Sequence, residues 1–352
     1  MKIGIYTPYL DTMTGGELYM LSMAEFLSKE HVVDIFWDDS KILEKAKKRF
    51  NLHLKDVRIV ENIFSSKYST FFRFRKTFQY DRIIYLSDGS LPLLAPKKLI
   101  VHFQQPIKSN DVSRFQILRA KNIRKIICNS LYTKSFIDRV YKVDSEILYP
   151  PVQKIQTVAK SKKNIILTVG RFYPYKNNSD YKKIGFMIDA FRVIKRKYPN
   201  WEFHVVVSVK DEHEKEFNEH IVKKAKDIVI IKNADYGTVQ KEYGEAKIYW
   251  HASGFGENIE KYPDRAEHFG ISTVEAMSAG CVPIVVGLGG QREIITTGKN
   301  GYLWDTEEEL VQYTLDVIYD EKELDKLSYN AQKITQRFNK EKFCKRLQEI
   351  IA

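Results

Sequence analysis

Residues 267–286 read EHFGISTVEAMSAGCVPIVV. A loop holding Phe269 and Gly270 runs into a helical stretch, Ser272–Ala279, and then into an all-apolar strand, Val282–Val286. The strand has no polar alternation, so both of its faces are buried, as in a parallel sheet covered by helices. Ala276, Ala279 and Gly280 are small, as a close helix-on-strand approach requires. The same alternation extends outward in both directions. Upstream lie strand Ile165–Val169, helix Ile184–Lys197, strand Trp201–Val209, strand Ile228–Ile231, helix Val239–Glu245 and strand Ile248–Tyr249. Downstream lie a helix at Gln291–Ile295 and helical stretches at Glu307–Ile318 and from Glu321 to Ile351.

A second series precedes this one. Strand Lys2–Tyr6 leads into a loop carrying Gly15 and Gly16, then a helix. Strands follow at Val32–Trp37, Arg82–Leu86, Leu99–Phe103 and Lys125–Cys128. Tyr149-Pro150-Pro151 breaks the pattern. The reading is α/β, with two Rossmann-like domains facing across a cleft: residues 1–150, a linker at 151–163, and residues 164–335. Residues 336–352 form a C-terminal helix. Ligands of such sheets sit at the carboxyl ends of strands, where strand order reverses.

The chain has 352 residues, 43% hydrophobic and 29% charged, which supports two cores and excludes disorder as the main state. Its three cysteines are widely spaced, without a CxxC pair, so neither a disulfide scaffold nor a structural metal site is expected. No apolar run is long enough to cross a membrane, and the N-terminus has no signal-peptide pattern. The expected location is the cytoplasm, or a membrane surface facing it. Net charge is +12, and residues 51–150 carry 18 Lys and Arg against 8 Asp and Glu. In SKYSTFFRFRKTFQYDR (66–82) basic and aromatic residues interleave. Two readings stay open for it: a solvated helix face over packed aromatics, or a surface for anionic lipid headgroups. No nucleic-acid motif accompanies the charge, so no nucleic-acid partner is expected.

Two constellations carry chemistry. Gly170-Arg171-Phe172-Tyr173-Pro174-Tyr175-Lys176 follows a strand directly. Gly170 permits a sharp exit, and Arg171 and Lys176 supply a planar fork and a point charge suited to a diphosphate. In the stretch first quoted, Glu267 and Glu275 flank a loop that becomes a helix. Phe269, Gly270 and Ile271 present backbone N–H groups at the helix entry. Glu275, about one turn inside, can accept both hydroxyls of a ribose.

G-R-x4-K, then E-x7-E, AGCVPIV and a Gly-Gly before an acidic residue together resemble the retaining glycosyltransferases of family 4, which have the GT-B fold. The segments VHFQQP (101–106), CNSLYTK (128–134) and LYPPV (148–152) fit the same family, so the resemblance spans nearly the whole chain. It implies transfer of a sugar from a UDP- or GDP-sugar with retention, using no metal and no cofactor, onto a glycan or lipid-linked acceptor in polysaccharide or glycoconjugate synthesis. It also implies that the C-terminal helix returns to the N-terminal domain. Carried over by position, Arg171 and Lys176 hold the diphosphate, with Gly170 beside them, and Glu275 holds the ribose. Glu267 contacts the donor sugar, either positioning it or acting as a nucleophile. Phe269, Gly270 and Ile271 contact the donor through the backbone. Gly16 allows close approach of the first loop, and His102 points into the cleft. The loop before Glu267, HASGFGENIEKYPDRAEHFG (251–270), is longer than the family's and carries Glu257, Glu260 and Asp264. Spacing and the following helix favour Glu267.

A dehydrogenase would need G-x-G-x-x-G after the first strand, and GIYTPYLDTMTGG does not supply it. A sugar-nucleotide epimerase of the same fold, or a non-catalytic nucleotide-sugar-binding protein, is the alternative reading. The epimerase gives no reason for G-R-x4-K and E-x7-E together; the non-catalytic reading stays open and is separated by nucleoside diphosphate release from nucleotide-sugars.

Overall fold

The computed structural model describes residues 1–12, 14–108, 111–155, 161–174 and 180–352. They divide into two compact units, residues 1–151 with 340–352, and residues 152–339.

The first unit runs β1 (Lys2–Tyr6), α1 (Gly15–Leu27), β2 (Val32–Phe36), α2 (Ile42–Phe50), β3 (Val57–Val60), α3 (Thr70–Thr77), β4 (Arg82–Ser87), β5 (Leu99–Phe103), α4 (Arg114–Ala120), β6 (Lys125–Cys128), α5 (Leu131–Tyr141) and β7 (Glu146–Ile147). Its seven parallel strands are ordered β3-β2-β1-β4-β5-β6-β7, so strand order reverses between β1 and β4. Alternate residues of each central strand feed opposite cores. Ile3, Ile5, Ile84 and Ile100 pack against Tyr19, Met20 and Met23 of α1 and Ile42 and Ala46 of α2. Ile83, Leu99, Val101 and Phe103 pack against Ala120 of α4 and Ile137, Val140 and Tyr141 of α5.

The second unit runs β8 (Lys163–Arg171), α6 (Ile184–Lys197), β9 (Glu202–Ser208), α7 (Glu214–His220), β10 (Val229–Lys232), α8 (Tyr236–Glu245), β11 (Ala246–His251), α9 (Ile271–Ser278), β12 (Val282–Val286), α10 (Gln291–Ile294), β13 (Tyr302–Trp304), α11 (Glu307–Tyr319) and α12 (Glu321–Ile334). Its six strands are ordered β10-β9-β8-β11-β12-β13, all parallel, and order reverses between β8 and β11. A short 3-10 turn, Thr335–Phe338, closes this unit, and α13 (Lys340–Ile351) then joins the first. There Phe343, Leu347, Ile350 and Ile351 enter the core under α1, the Arg346 guanidinium donates to Glu146 Oε2 at 2.6 Å, and Lys340 pairs with Glu25.

Four boundaries differ from the sequence reading. Gly15 and Gly16 begin α1 rather than a loop, because Glu17 accepts from Thr12 Oγ1, Thr14 N and Thr14 Oγ1 at 2.7–2.8 Å and fixes the helix entry. Residues 152–155, assigned to the linker, are part of the second unit: Val152 N donates to Phe338 O at 2.8 Å and Ile155 N to Ser278 Oγ at 3.1 Å. Residues 336–339 belong with the second unit, not with the terminal helix. The edge strands β3, β7 and β13 and helix α2 are additional; the strands are short, two to four residues. Among the described residues no helix is long and apolar enough to cross a membrane.

Candidate functional site

The carboxyl ends of β8 and β11, where the second sheet reverses, hold an ionic cluster around Glu267. Arg171 ends β8 and its side chain is exposed, with no ion pair among the described residues. Lys176, expected as the second cation, lies outside the described residues. Another lysine stands in the site. Lys182 Nζ lies 2.6 Å from Glu267 Oε2, and the same oxygen is 2.8 Å from His251 Nε2 at the end of β11.

Local chemistry explains how Lys182 gets there. The half-buried Asp180 carboxylate accepts from Lys182 N at 2.9 Å and from Ile184 N, capping the start of α6 and fixing the turn between them. Burial lifts Asp180 to about 6, against the backbone N–H groups that favour its charged form. The Lys182 stem then runs over Gly170, where a Cβ would stand 3.2 Å from Lys182 Cγ. The sharp strand exit expected at Gly170 is not there: Gly170 is paired with Val207 inside β8, which runs on through Arg171, and its missing side chain instead makes room for Lys182.

Burial alone would raise the Glu267 carboxyl, but Lys182 and His251 outweigh it and hold Glu267 well below the usual carboxylate range. Burial, helped by the Lys182 charge, pushes His251 down despite Glu267. A neutral His251 donates its Nε2–H to Glu267 and leaves Nδ1 buried without a partner. Both donors fall on Oε2, and Glu267 Oε1 has no partner among the described residues.

The loop bearing Glu267 is clamped by backbone contact. Gly290 N donates to Glu267 O at 2.8 Å. A Cβ on Gly290 would stand 2.5 Å from Phe269 Cα, and one on Gly289, at φ +61°, 2.2 Å from Glu267 O. This is the structural use of the Gly-Gly pair. Phe269 buries its ring edge-on against Phe338, Gly270 turns the chain at φ +115°, and Ile271 opens α9. Glu257 is accounted for elsewhere, between Lys183 Nζ at 2.6 Å and Arg265 Nη1 at 2.7 Å.

Glu275 sits on α9 with Tyr243 OH donating to Oε2 at 3.0 Å. Burial raises its carboxyl to about 7, only partly offset by that hydrogen bond. Among the described residues no group of three or more His, Cys, Asp or Glu side chains is arranged to hold a metal ion.

The residues expected from the first unit are placed differently. Gly16 lies in the first turn of α1, where a Cβ would stand 2.5 Å from Gln104 Oε1; Gln104 Nε2 donates to Gly16 O at 3.1 Å. His102 does not face a substrate surface. It is 0% exposed, with its ring edge-on to Tyr19 at 4.7 Å and Nδ1 3.3 Å from Ile127 O. The reason is position: β5 is buried along its whole length, and the chain emerges only after Phe103. Burial lowers His102 to about 3, so it stays neutral. Gln104, just past the strand, is the side chain that meets the start of α1.

Lys182 and His251 were not singled out in the sequence. Lys182 lies six residues past Lys176, outside the G-R-x4-K spacing. The signal that marks it is a Lys in the turn just before α6, facing a glycine near the end of β8.

Residues 151–334, just over half the chain, match the family described as Glycosyl transferases group 1. Over 237 residues the chain is 22% identical to a GDP-Man:Man(3)GlcNAc(2)-PP-Dol alpha-1,2-mannosyltransferase of Dictyostelium discoideum, covering 62% of this chain and 45% of that protein. Over 239 residues it is 26% identical to the O-antigen chain mannosyltransferase RfbU of Salmonella typhimurium, covering 62% and 59%. These matches span about half the length of the curated relatives. Among solved structures, Anabaena Alr3699/HepE in complex with UDP and glucose superimposes with a TM-score of 0.71 at 18% identity, covering 99% of this chain and 98% of that one. That likeness speaks to the fold: two Rossmann-like sheets of parallel strands, as in GT-B glycosyltransferases. With its second unit matched almost from end to end, the chain belongs to the glycosyl transferases group 1 family.

Proposed function

We propose that the protein is a retaining, metal-independent glycosyltransferase that moves a hexose from a UDP- or GDP-sugar to a glycan or lipid-linked acceptor. One observation carries the reading: Glu267 held ionised by Lys182 and His251 at the point where strand order reverses in the second sheet, with the exposed Arg171 ending β8 there. Breaking the bond to a nucleoside diphosphate builds negative charge on its oxygens. Fixed cations stabilise that charge more in the transition state than in the ground state. Arg171 and Lys182 supply them here, and Lys176 is a further candidate from the same loop. Glu275 accepts the ribose hydroxyls.

Glu267 acts through its charge. A carboxylate whose pKa is held low by two donors on one oxygen is a weak nucleophile, while its ionised Oε1 stabilises an oxocarbenium-like sugar carbon. The names of the relatives, one a GDP-Man enzyme and one a structure with UDP, support a nucleotide-sugar donor and leave the base open.

The test is incubation of the full chain with UDP- and GDP-sugars in EDTA, measuring nucleoside diphosphate release and the anomeric configuration of the product by NMR. Release with retention is expected. Activity that appears only with added divalent metal, or an inverted product, overturns the mechanism. Epimerised free nucleotide-sugar would favour the alternative activity.

A further inference from the structure

Helix α3 has its aromatic residues on the outside. Phe71, Phe74 and Phe78 are 77%, 43% and 63% exposed. They recur at helical spacing with the exposed Arg75 and so form one outward stripe, while Phe72 turns inward and stacks on Tyr68 at 4.7 Å. A soluble surface helix places its apolar stripe toward the core; α3 presents a second one to solvent.

The stripe continues across the unit. Lys98 Nζ donates to Phe78 O at 2.8 Å and lies 4.7 Å above the Phe78 ring. Just upstream, Leu94 O accepts from Arg119 Nη2 of α4 at 3.0 Å, beside the exposed Leu93. On α4 itself Phe115 and Leu118 are each 63% exposed. Helices α3 and α4 flank the same core layer, built on Ile83, Val101 and Ile126. The charge on this side is predominantly basic, with Glu61, Asp81 and Asp111 at the margins of the two stretches. Residues 62–80 hold four Lys and Arg and no Asp or Glu, and residues 112–137 hold six and none. Arg75, Lys76, Lys97, Arg114 and Lys121 are all exposed.

From these features we infer that the α3–α4 face of the first unit is a docking surface for an anionic lipid bilayer. The aromatic and leucine side chains enter the headgroup boundary, and the flanking cations meet anionic headgroups. Rings set among a clear excess of basic side chains fit that partner: apolar insertion and electrostatic attraction act on the same face. A nucleic-acid duplex would use the cations and leave Phe71, Phe78, Phe115 and Leu118 in water, and no single-strand-binding motif accompanies the rings. The inference stands on surface chemistry alone. If the transferase reading is also right, the surface would bring the protein to a lipid-linked acceptor.

The experiment is co-sedimentation of the full chain, without donor or acceptor, on phosphatidylcholine vesicles with and without phosphatidylglycerol, at low and high salt. Binding is expected only with phosphatidylglycerol and is weakened by salt, since screening acts over about 10 Å at 0.1 M. The triple variant Phe71→Ser, Phe74→Ser, Phe78→Ser should lower partitioning about tenfold or more while keeping the wild-type melting temperature and nucleotide binding. Arg75→Ser with Lys76→Ser and Lys97→Ser should remove most of the salt-sensitive part. Tyr319→Ser, an exposed aromatic of the second unit, is the control and should bind like wild type. Unchanged binding by the triple variant, or no binding to anionic vesicles, overturns the inference. So does concentration-dependent self-association lost in the triple variant, which would make a second copy the occupant, or RNA binding in place of vesicle binding. Because no sugar donor is present, none of these outcomes bears on the transferase reading, and loss of transferase activity leaves the vesicle result standing.

Discussion

The two sheets have the same parallel architecture and furnish their reversal points with opposite chemistry. In the first, β1 and β4 meet through rings: Tyr6 stacks on Tyr85 at 4.8 Å, and both pack against Phe64. In the second, charges gather past the ends of β8 and β11: Lys182 and His251 share the Glu267 carboxylate, and Arg171 ends β8 without an ion pair among the described residues. An aromatic floor discriminates by shape and apolar contact, whereas an ionic one stabilises charge that develops during a reaction. A shared fold therefore does not make the two units chemically equivalent. The one that can stabilise a leaving diphosphate is the second.

Substitutions that separate turnover from stability test this contrast most strongly. Lys182→Ala, Arg171→Ala and Glu267→Gln should each lower kcat/KM by about 10²–10³, or roughly 3–4 kcal/mol, with little change in melting temperature. His102→Ala in the first unit should do the reverse. It should cost about 1–3 kcal/mol of stability through a cavity beside Tyr19, with residual kcat/KM close to wild type. A large turnover loss for His102→Ala without loss of stability would restore it to the reaction.

The glycines give a smaller contrast. Gly290→Ala forces a Cβ onto the backbone of His268 and Phe269 and should cost roughly 1–3 kcal/mol in chemical denaturation, displacing Glu267 as well. Gly16→Ala meets only the end of the Gln104 side chain, which can move, and should cost less than about 1 kcal/mol. Similar costs at both positions would mean that the start of α1 is as tightly built as the loop before α9.

Titration of Glu275 supplies a pH test. Its folded carboxyl is raised from 4.5 to about 7, so the folded chain keeps a proton that the unfolded chain releases. Its contribution to stability is therefore full below about pH 4.5 and falls away as pH rises to about 7. Glu275→Gln should be more stable than wild type above about pH 8, by on the order of 1 kcal/mol, and should match it near pH 4. In the proposed donor site the same carboxylate would accept ribose hydroxyls best when ionised. Nucleotide affinity in wild type should thus rise as pH passes through about 7, and in Glu275→Gln it should be weak and flat. A wild-type affinity that is flat with pH would remove Glu275 from the ribose.

Much of this is visible in the amino-acid order. Uninterrupted apolar runs such as VPIVV locate the central strands, since burial on both faces leaves no room for polar residues. Short edge strands such as Glu146–Ile147 carry too few residues to declare a period. The Glu267–Glu275 element is readable because its spacing and the small residues behind it are local. Lys182 is not, because its partner is 85 residues away and a nearer lysine satisfied the same motif. His102 misleads for a related reason: one residue along a strand decides whether a side chain is covered or emerges. The aromatic stripe of α3 divides the residues of one short sequence, with Phe72 packed inward and Phe71, Phe74 and Phe78 outward. Composition suggested the chemistry, and only helical phase assigns the face.

The central claim is that Lys182, paired with Glu267, is a cation of the donor diphosphate site. Calorimetric titration of the full chain with UDP and with GDP in EDTA, comparing wild type, Lys182→Ala and Lys176→Ala, tests it most directly. One of the two nucleotides should bind wild type, and Lys182→Ala should bind it at least about tenfold more weakly, a loss of roughly 1.4 kcal/mol or more. Wild-type affinity in Lys182→Ala, with binding lost only in Lys176→Ala, would contradict the account and return the diphosphate to the lysine of the G-R-x4-K motif.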